Sequence, residues 1–185
     1  MWQEELVVVM NDEKRYLRKL LSILLQYPDD EFILSLEELK EAVAQIPQVE
    51  QRERCVNFLD YLGNNSLIRL QEQYTSTFDL NPETCLNLTY HRWGDARERG
   101  SALVDFHQLY DTIGYECATG ELPDYLPLIL EFLSIKRQEK QVSFLGQYSD
   151  QVEVIGSRLQ EADSPHGGIF EIVVDIFREL QANGV

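Results

Sequence analysis

The chain has 185 residues, with 16 Lys and Arg against 32 Asp and Glu, a formal net charge of −16, and 44% hydrophobic residues. That apolar share supports a core and excludes a disordered acidic tail, while the shortage of cations argues against nucleic acid and anionic membrane surfaces as partners. The length suits one domain over 1–185, and a basic peptide or basic protein surface is the electrostatic complement.

Residues 1–10 form an N-terminal extension whose apolar run at 6–10 fits a strand as well as a helix. The opening MWQEEL lacks the basic and apolar regions of a secretion signal. Tyr16, Leu17, Leu20, Leu21, Leu24 and Leu25 recur three and four residues apart and predict an amphipathic helix ending at Tyr27-Pro28. Residues 28–31 read as a turn. Ser35 and Glu38 have capping-box spacing ahead of Leu36, Leu39 and Val43, and that stripe ends near Pro47. A third helix carries Val49, Val56, Leu59 and Leu62 and stops at Gly63-Asn64-Asn65. Asn65 or Ser66 caps a fourth, with Leu67, Leu70, Tyr74 and Phe78 on one face.

Residues 79–94 break the period and predict a long ordered connection with a helical turn. Asp95 then caps a helix striped by Leu103, Phe106, Tyr110 and Ile113 and closed by Gly114. Residues 115–122 loop. Pro123-Asp124 opens an apolar helix through Leu126, Ile129, Leu130 and Leu133, with Pro127 tolerated in its first turn. Lys136 and Arg137 stand near its end, where the helix dipole favours cations. Residues 138–148 are a polar connection. Helices at about 149–162 and 168–182 close the chain, the last with Ile169, Ile172, Val173, Ile176, Phe177 and Leu180 as a core face. The predicted class is all-α, a single globular bundle of about seven to eight helices.

Signals for catalysis are missing. Cys55, Cys85 and Cys117 lie too far apart for a disulfide framework or a zinc cluster, which fits a reducing cytoplasm. There is no H-E-x-x-H, Glu-x-x-His, G-x-S-x-G or phosphate-binding glycine loop. These absences disfavour a metal site, and nothing local marks a catalytic nucleophile.

Two segments are not explained by packing alone. Residues 91–100 crowd His91, Trp93, three arginines, two acids and two glycines together. Gly100 costs ~1 kcal/mol against Ala inside a helix and predicts the close approach of another backbone. Residues 121–127 bracket a helix start with two prolines. Asp111, Glu116, Glu121, Asp124 and Glu131 span this region without a Lys or Arg and suggest one wall of an acidic groove. A capped helix start and a solvated face are the plainer explanations of the same residues.

These segments, with Leu25-Gln26-Tyr27-Pro28 and Tyr74-Thr75-Ser76-Thr77-Phe78-Asp79 ahead of them, resemble the nitrate reductase delta-subunit family of NarJ-like molybdoenzyme chaperones. The resemblance covers about residues 17–180. It departs at Ala96, where the family carries a small hydroxyl, at Trp93, often a second His, and in lacking the family's acidic C-terminal tail.

The resemblance implies a cytoplasmic chaperone without catalytic activity. Its client is the molybdenum-containing catalytic alpha subunit of respiratory nitrate reductase. It binds that subunit's basic N-terminal segment, a relic of a twin-arginine leader, and inserts into no membrane. It keeps the subunit open for its molybdopterin guanine dinucleotide cofactor and iron–sulfur cluster, and delays membrane docking. The chaperone itself holds no cofactor stably. The same role for a selenate, chlorate or hydrocarbon dehydrogenase is the first alternative, and a helical metal protein sharing only the fold is the second.

By family position, His91, Gly94, Asp95, Arg97 and Arg99 form the signature connection. Asp95 and Asp124 are expected to offer carboxylates to a client cation, with Glu121 on the same wall. Arg97 and Arg99 position that corner, and His91 senses pH. Tyr74, Phe78, Tyr125 and Leu126 supply apolar contact to the client, although core burial competes as the explanation of Phe78 and Leu126. A monomer, or a dimer swapped through residues 79–94 and 138–148, is the expected state.

Overall fold

Apolar residues three and four apart dictate helices, and helices are what form. The structure is a computed structural model, and it describes residues 13–115, 120–135 and 144–182. The first half holds α1 (Glu13–Leu24), α2 (Asp30–Leu34), α3 (Leu36–Val43), α4 (Val49–Gly63) and α5 (Leu67–Tyr74). A π-helical turn, Thr75–Asp79, extends α5. Then come α6 (Leu88–Trp93), α7 (Glu98–Asp111), α8 (Leu126–Ser134), α9 (Ser149–Glu161) and α10 (Gly167–Ala182). Eight of these helices have eight or more residues, in keeping with the all-α bundle expected. Among the described residues the extended pairing is one isolated antiparallel bridge, Asn87 to Tyr125.

One hydrophobic cluster runs from Tyr16 to Leu180. Within it α1 lies along α8, α9 along α10, and α4 against both α3 and α10. The α1–α8 contact buries charge as well as leucine. Arg15 Nε donates to the Ser134 carbonyl at 2.6 Å and Arg18 to the Leu133 carbonyl at 3.4 Å. Two guanidiniums from α1 therefore occupy the carbonyl end of α8, where the dipole favours cations. Lys136 and Arg137, expected in that role, lie outside the described residues.

Beside them Lys19 Nζ meets Glu131 Oε1 at 2.7 Å, and the Tyr115 hydroxyl donates to Glu131 Oε2 at 2.8 Å. The Lys19 side chain is nearly buried, whereas Glu131 is 31% exposed. Glu131→Ala is expected to cost about 2 kcal/mol, below the range for a fully buried pair because water screens the acid. An unchanged urea midpoint would remove this pair from the account.

Several local expectations change. The first helix stops at Leu24, ahead of Tyr27. Residues 28–31 hold a helix start, with the Asp29 carboxylate accepting from Phe32 N at 2.8 Å. Ser35 makes no capping bond to α3, because its hydroxyl donates back to the Phe32 carbonyl at 2.8 Å. Ser66 caps α5 by accepting from Arg69 N at 3.4 Å.

Asp95 caps nothing. Gly94 N bonds the Tyr90 carbonyl at 2.7 Å and Ala96 N the Trp93 carbonyl at 3.0 Å, so Asp95 is spent in the turn and Arg97 takes the cap position of α7 without a side-chain bond. Gly94 makes that turn at φ +54°, a conformation that side chains strain.

The close backbone approach expected at Gly100 is absent, since a Cβ there meets nothing within 4 Å. It occurs instead at Gly146, where a Cβ would lie 2.8 Å from Gln181 Cα and N and 2.9 Å from Leu180 C. Gly146→Ala is expected to cost about 1–3 kcal/mol, because backbone rather than a flexible side chain must move. A thermal melt within error of wild type would contradict it. Residues 1–10, Cys117 and most of 138–148 lie outside the described residues.

Candidate functional site

The two unusual segments are zipped together. Leu88 N donates to the Asp124 carbonyl at 3.1 Å, and Leu126 N to the Leu86 carbonyl at 2.8 Å. Between these bonds the Asp124 side chain is 0% exposed. Its Oδ1 accepts from Asn87 Nδ2 at 3.0 Å, and its Oδ2 from Thr89 N at 3.0 Å and Thr89 Oγ1 at 2.5 Å. Thr89 N belongs to the first turn of α6, so Asp124 caps that helix from 35 residues away.

Arg99 completes the corner. Its Nε donates to Thr89 Oγ1 at 3.1 Å, one Nη lies 3.9 Å from Asp124, and its guanidinium stands 5.4 Å from the Tyr90 ring centre. The Tyr110 hydroxyl donates to the Pro123 carbonyl at 2.6 Å. The expectation that Asp124 offers a carboxylate to a client is therefore corrected: its oxygens serve the protein's own donors. Arg99 contacts this corner through Thr89 and Asp124. Arg97 is exposed and makes no ion pair among the described residues.

Beside the zipper Tyr74 is core, 3% exposed, so the client contact expected of it is corrected, while Tyr125 is half-buried and the accessible surface lies around it. The Tyr74 hydroxyl donates to the Leu25 carbonyl at 3.0 Å, so the Tyr125 hydroxyl donates to Tyr74 at 2.7 Å. Burial first raises both phenols; Tyr74 is raised next by Tyr125 and then by the charges of Asp79 and Glu121, and those of Glu121 and Asp79 also raise Tyr125, which is pushed up to about 12. Both acids are exposed, and neither makes a hydrogen bond or ion pair among the described residues. Next to them in the chain are Leu80, 76% exposed, and Leu122, 44% exposed. Exposed Tyr27 packs edge-on to Tyr74 at 5.4 Å.

The π-helical turn delivers Asp79 and Leu80, through Leu80 N to the Thr75 carbonyl at 2.9 Å. Turns of this kind recur at functional sites. The face thus combines two uncommitted carboxylates with aromatic and aliphatic surface. That chemistry suits a cationic, partly apolar segment.

The other expected residues fall elsewhere. Phe78 and Leu126 are core, and Phe78 packs 4.9 Å from Tyr74 and 4.8 Å from His166. Asp95 is exposed in the α6–α7 turn. The His91 Nε2–H donates to the Cys85 carbonyl at 2.7 Å. Burial lowers the His91 pKa from its ordinary value. Sequence reasoning missed Asn87 and Thr89, which carry no local signal because their partner is remote. It also missed Asp79 and Tyr27, which stood in the quoted motifs without a role.

Cys55 is pushed up to about 12 by burial, and burial raises Cys85 too, so neither is an activated nucleophile. Among the described residues no group of three or more His, Cys, Asp or Glu is placed to hold a metal. No helix there is long and apolar enough to cross a membrane.

Residues 37–171 match the family described as nitrate reductase delta subunit. A Bacillus subtilis protein that bears the name "Probable nitrate reductase molybdenum cofactor assembly chaperone NarJ" is 34% identical over 154 residues, covering 83% of this chain and 84% of that one. An Escherichia coli K12 protein that bears the name "Nitrate reductase molybdenum cofactor assembly chaperone NarJ" is 31% identical over 160 residues, covering 85% and 67%. Both relatives are named as chaperones and not as catalysts. A crystal structure of a redox enzyme maturation protein from Archaeoglobus fulgidus superposes with a TM-score of 0.60 over 91% of this chain and 93% of that one, at 22% identity, and so shares the fold. By the match over residues 37–171 and by these relatives, the chain belongs to the nitrate reductase delta-subunit family.

Proposed function

We propose that this protein is a cytoplasmic assembly chaperone for the catalytic subunit of a nitrate reductase. It holds the basic N-terminal segment of that subunit against the face of Asp79, Glu121 and half-buried Tyr125. It keeps the subunit competent to receive its molybdenum cofactor, in the molybdopterin guanine dinucleotide form, and delays membrane docking. The carrying observation is identity above 30% across more than four-fifths of the chain to proteins named as nitrate reductase molybdenum cofactor assembly chaperones. The face adds physical support. Asp79 and Glu121 are free to receive a cation, and a net charge of −16 speeds encounter with a basic partner. The protein performs no chemistry of its own.

The test is made in cells that lack this protein but express its nitrate reductase. The catalytic subunit is purified and its molybdenum measured. The expected result is a subunit largely without molybdenum, restored when the chaperone is supplied. Full molybdenum content without the chaperone would end this reading.

A further inference from the structure

Asp79 and Glu121 are exposed and make no hydrogen bond or ion pair among the described residues. Their separation is therefore set by the backbone that carries each. Asp79 ends the π-helical turn Thr75–Asp79, which continues α5 directly from Tyr74. Glu121 stands just ahead of the turn in which Tyr125 N bonds the Leu122 carbonyl at 3.0 Å. A third stretch leaves α1 through Leu25 and brings exposed Tyr27 edge-on to Tyr74.

Two phenols tie these three stretches together. Tyr74 has one hydroxyl proton and gives it to the Leu25 carbonyl at 3.0 Å. The proton in the 2.7 Å contact between the phenols therefore comes from Tyr125. The bonds run one way, from Tyr125 to Tyr74 to Leu25. Tyr74 is 3% exposed, so water is poorly placed to replace a broken link, and breaking one strands a buried polar atom. The Gln71 side chain adds a second tie between α5 and the stretch after α1, donating to the Pro28 carbonyl at 2.9 Å. Among causes smaller than burial, the charges of Asp79 and Glu121 raise both phenols, which puts both acids within electrostatic reach of the pair.

Exposed charge contacts are individually weak, because each must hold flexible side chains in one geometry. Carriers already held at a fixed spacing lower that ordering cost. We propose that Tyr125 is a positioning residue for client binding: its hydroxyl, held by Tyr74 and through it by the Leu25 carbonyl, fixes the spacing at which Asp79 and Glu121 receive one cationic segment together. The inference rests on the reading of this face as the docking surface.

The test compares Tyr125→Phe with Tyr16→Phe. Tyr16 makes a bond of the same kind, from its hydroxyl to the Ala42 carbonyl at 2.8 Å, and burial alone raises its pKa, so no charge of the face is felt there. In the free protein, the backbone amide resonances of Asp79 and Leu80 are expected to shift in Tyr125→Phe and to stay in place in Tyr16→Phe. Calorimetric titration with a peptide of the first ~30 residues of the catalytic subunit is expected to show binding weakened roughly 3- to 10-fold in Tyr125→Phe, the equivalent of one net hydrogen bond. Tyr16→Phe should keep wild-type affinity. The effects of Asp79→Asn and Glu121→Gln on affinity should be coupled in the wild type and additive in Tyr125→Phe. Unmoved Asp79 and Leu80 resonances, unchanged affinity or unchanged coupling in Tyr125→Phe, or an equal loss of affinity in Tyr16→Phe would each overturn the proposal. A peptide that fails to bind the wild type, or that binds Asp79→Asn/Glu121→Gln equally well, refutes the face itself and the proposal with it. If Tyr125→Phe does not fold, Tyr74→Phe breaks the same chain of bonds one link further in, and the same outcomes decide.

Discussion

Asp124→Ala is expected to lower the unfolding free energy by about 3–5 kcal/mol, the range for stripping one partner from a buried charged network. The carboxylate accepts from Asn87 and twice from Thr89, and Arg99 stands 3.9 Å away. With Ala in place, the Thr89 N–H at the start of α6 is buried without an acceptor, and Arg99 loses its counter-charge. The zipper between residues 86–89 and 124–126 then rests on two backbone bonds. Asp124→Asn should cost less, since its amide oxygen still accepts, although its NH2 faces donors. Asp95→Ala, at an exposed position that caps nothing, should stay within about 0.5 kcal/mol of wild type. Urea denaturation of the three variants checks the order. An Asp124→Ala protein as stable as wild type would contradict the remote cap.

Acidification is expected to remove roughly 3 kcal/mol of stability through His166 alone. Burial lowers its pKa from 6.5 in the free side chain to about 4 in the folded protein. Between these values the unfolded chain binds the proton and the folded one does not. Stability from this group is therefore complete above about pH 6.5, declines as pH falls toward about 4, and is fully lost below that. Exposed carboxylates titrate over part of the same window, so the informative quantity is a difference. Wild type and His166→Phe should show denaturation free energies that diverge between pH 7 and pH 4, with the wild type losing more. Parallel pH curves would contradict a neutral buried imidazole.

Much of this fold was legible because its signals are local. The helices α1, α4, α9 and α10 each carry an apolar stripe on their own residues, and each formed close to its expected bounds. Elements held by distant partners were not legible. The six-residue α6 lies inside the connection expected at 79–94, and its start depends on a carboxylate 35 residues away. The two glycines make the same point. Gly100 looks expensive by helix propensity, but tertiary packing put the tight backbone contact at Gly146.

The candidate site was legible in location and misread in roles. Its motifs do meet. Of the acids they contain, however, Asp124 points inward, while Glu121 and Asp79 remain at the surface. Spacing alone cannot separate a capping carboxylate from a receiving one, because both stand in the same turn-rich segment. The same holds for Tyr125 and Leu126, adjacent residues of which one borders the face and the other is core.

The most direct test of the central claim is a calorimetric titration with a peptide of the first ~30 residues of the client catalytic subunit, long enough for several helical turns. It is run with the wild type and with Asp79→Asn/Glu121→Gln, each at low and moderate salt. The account predicts one-to-one binding that weakens as salt rises, and an affinity roughly 3- to 30-fold lower for the double variant, in line with two exposed charge contacts. Absence of binding at either salt, or a double variant that binds as tightly as the wild type, would contradict it.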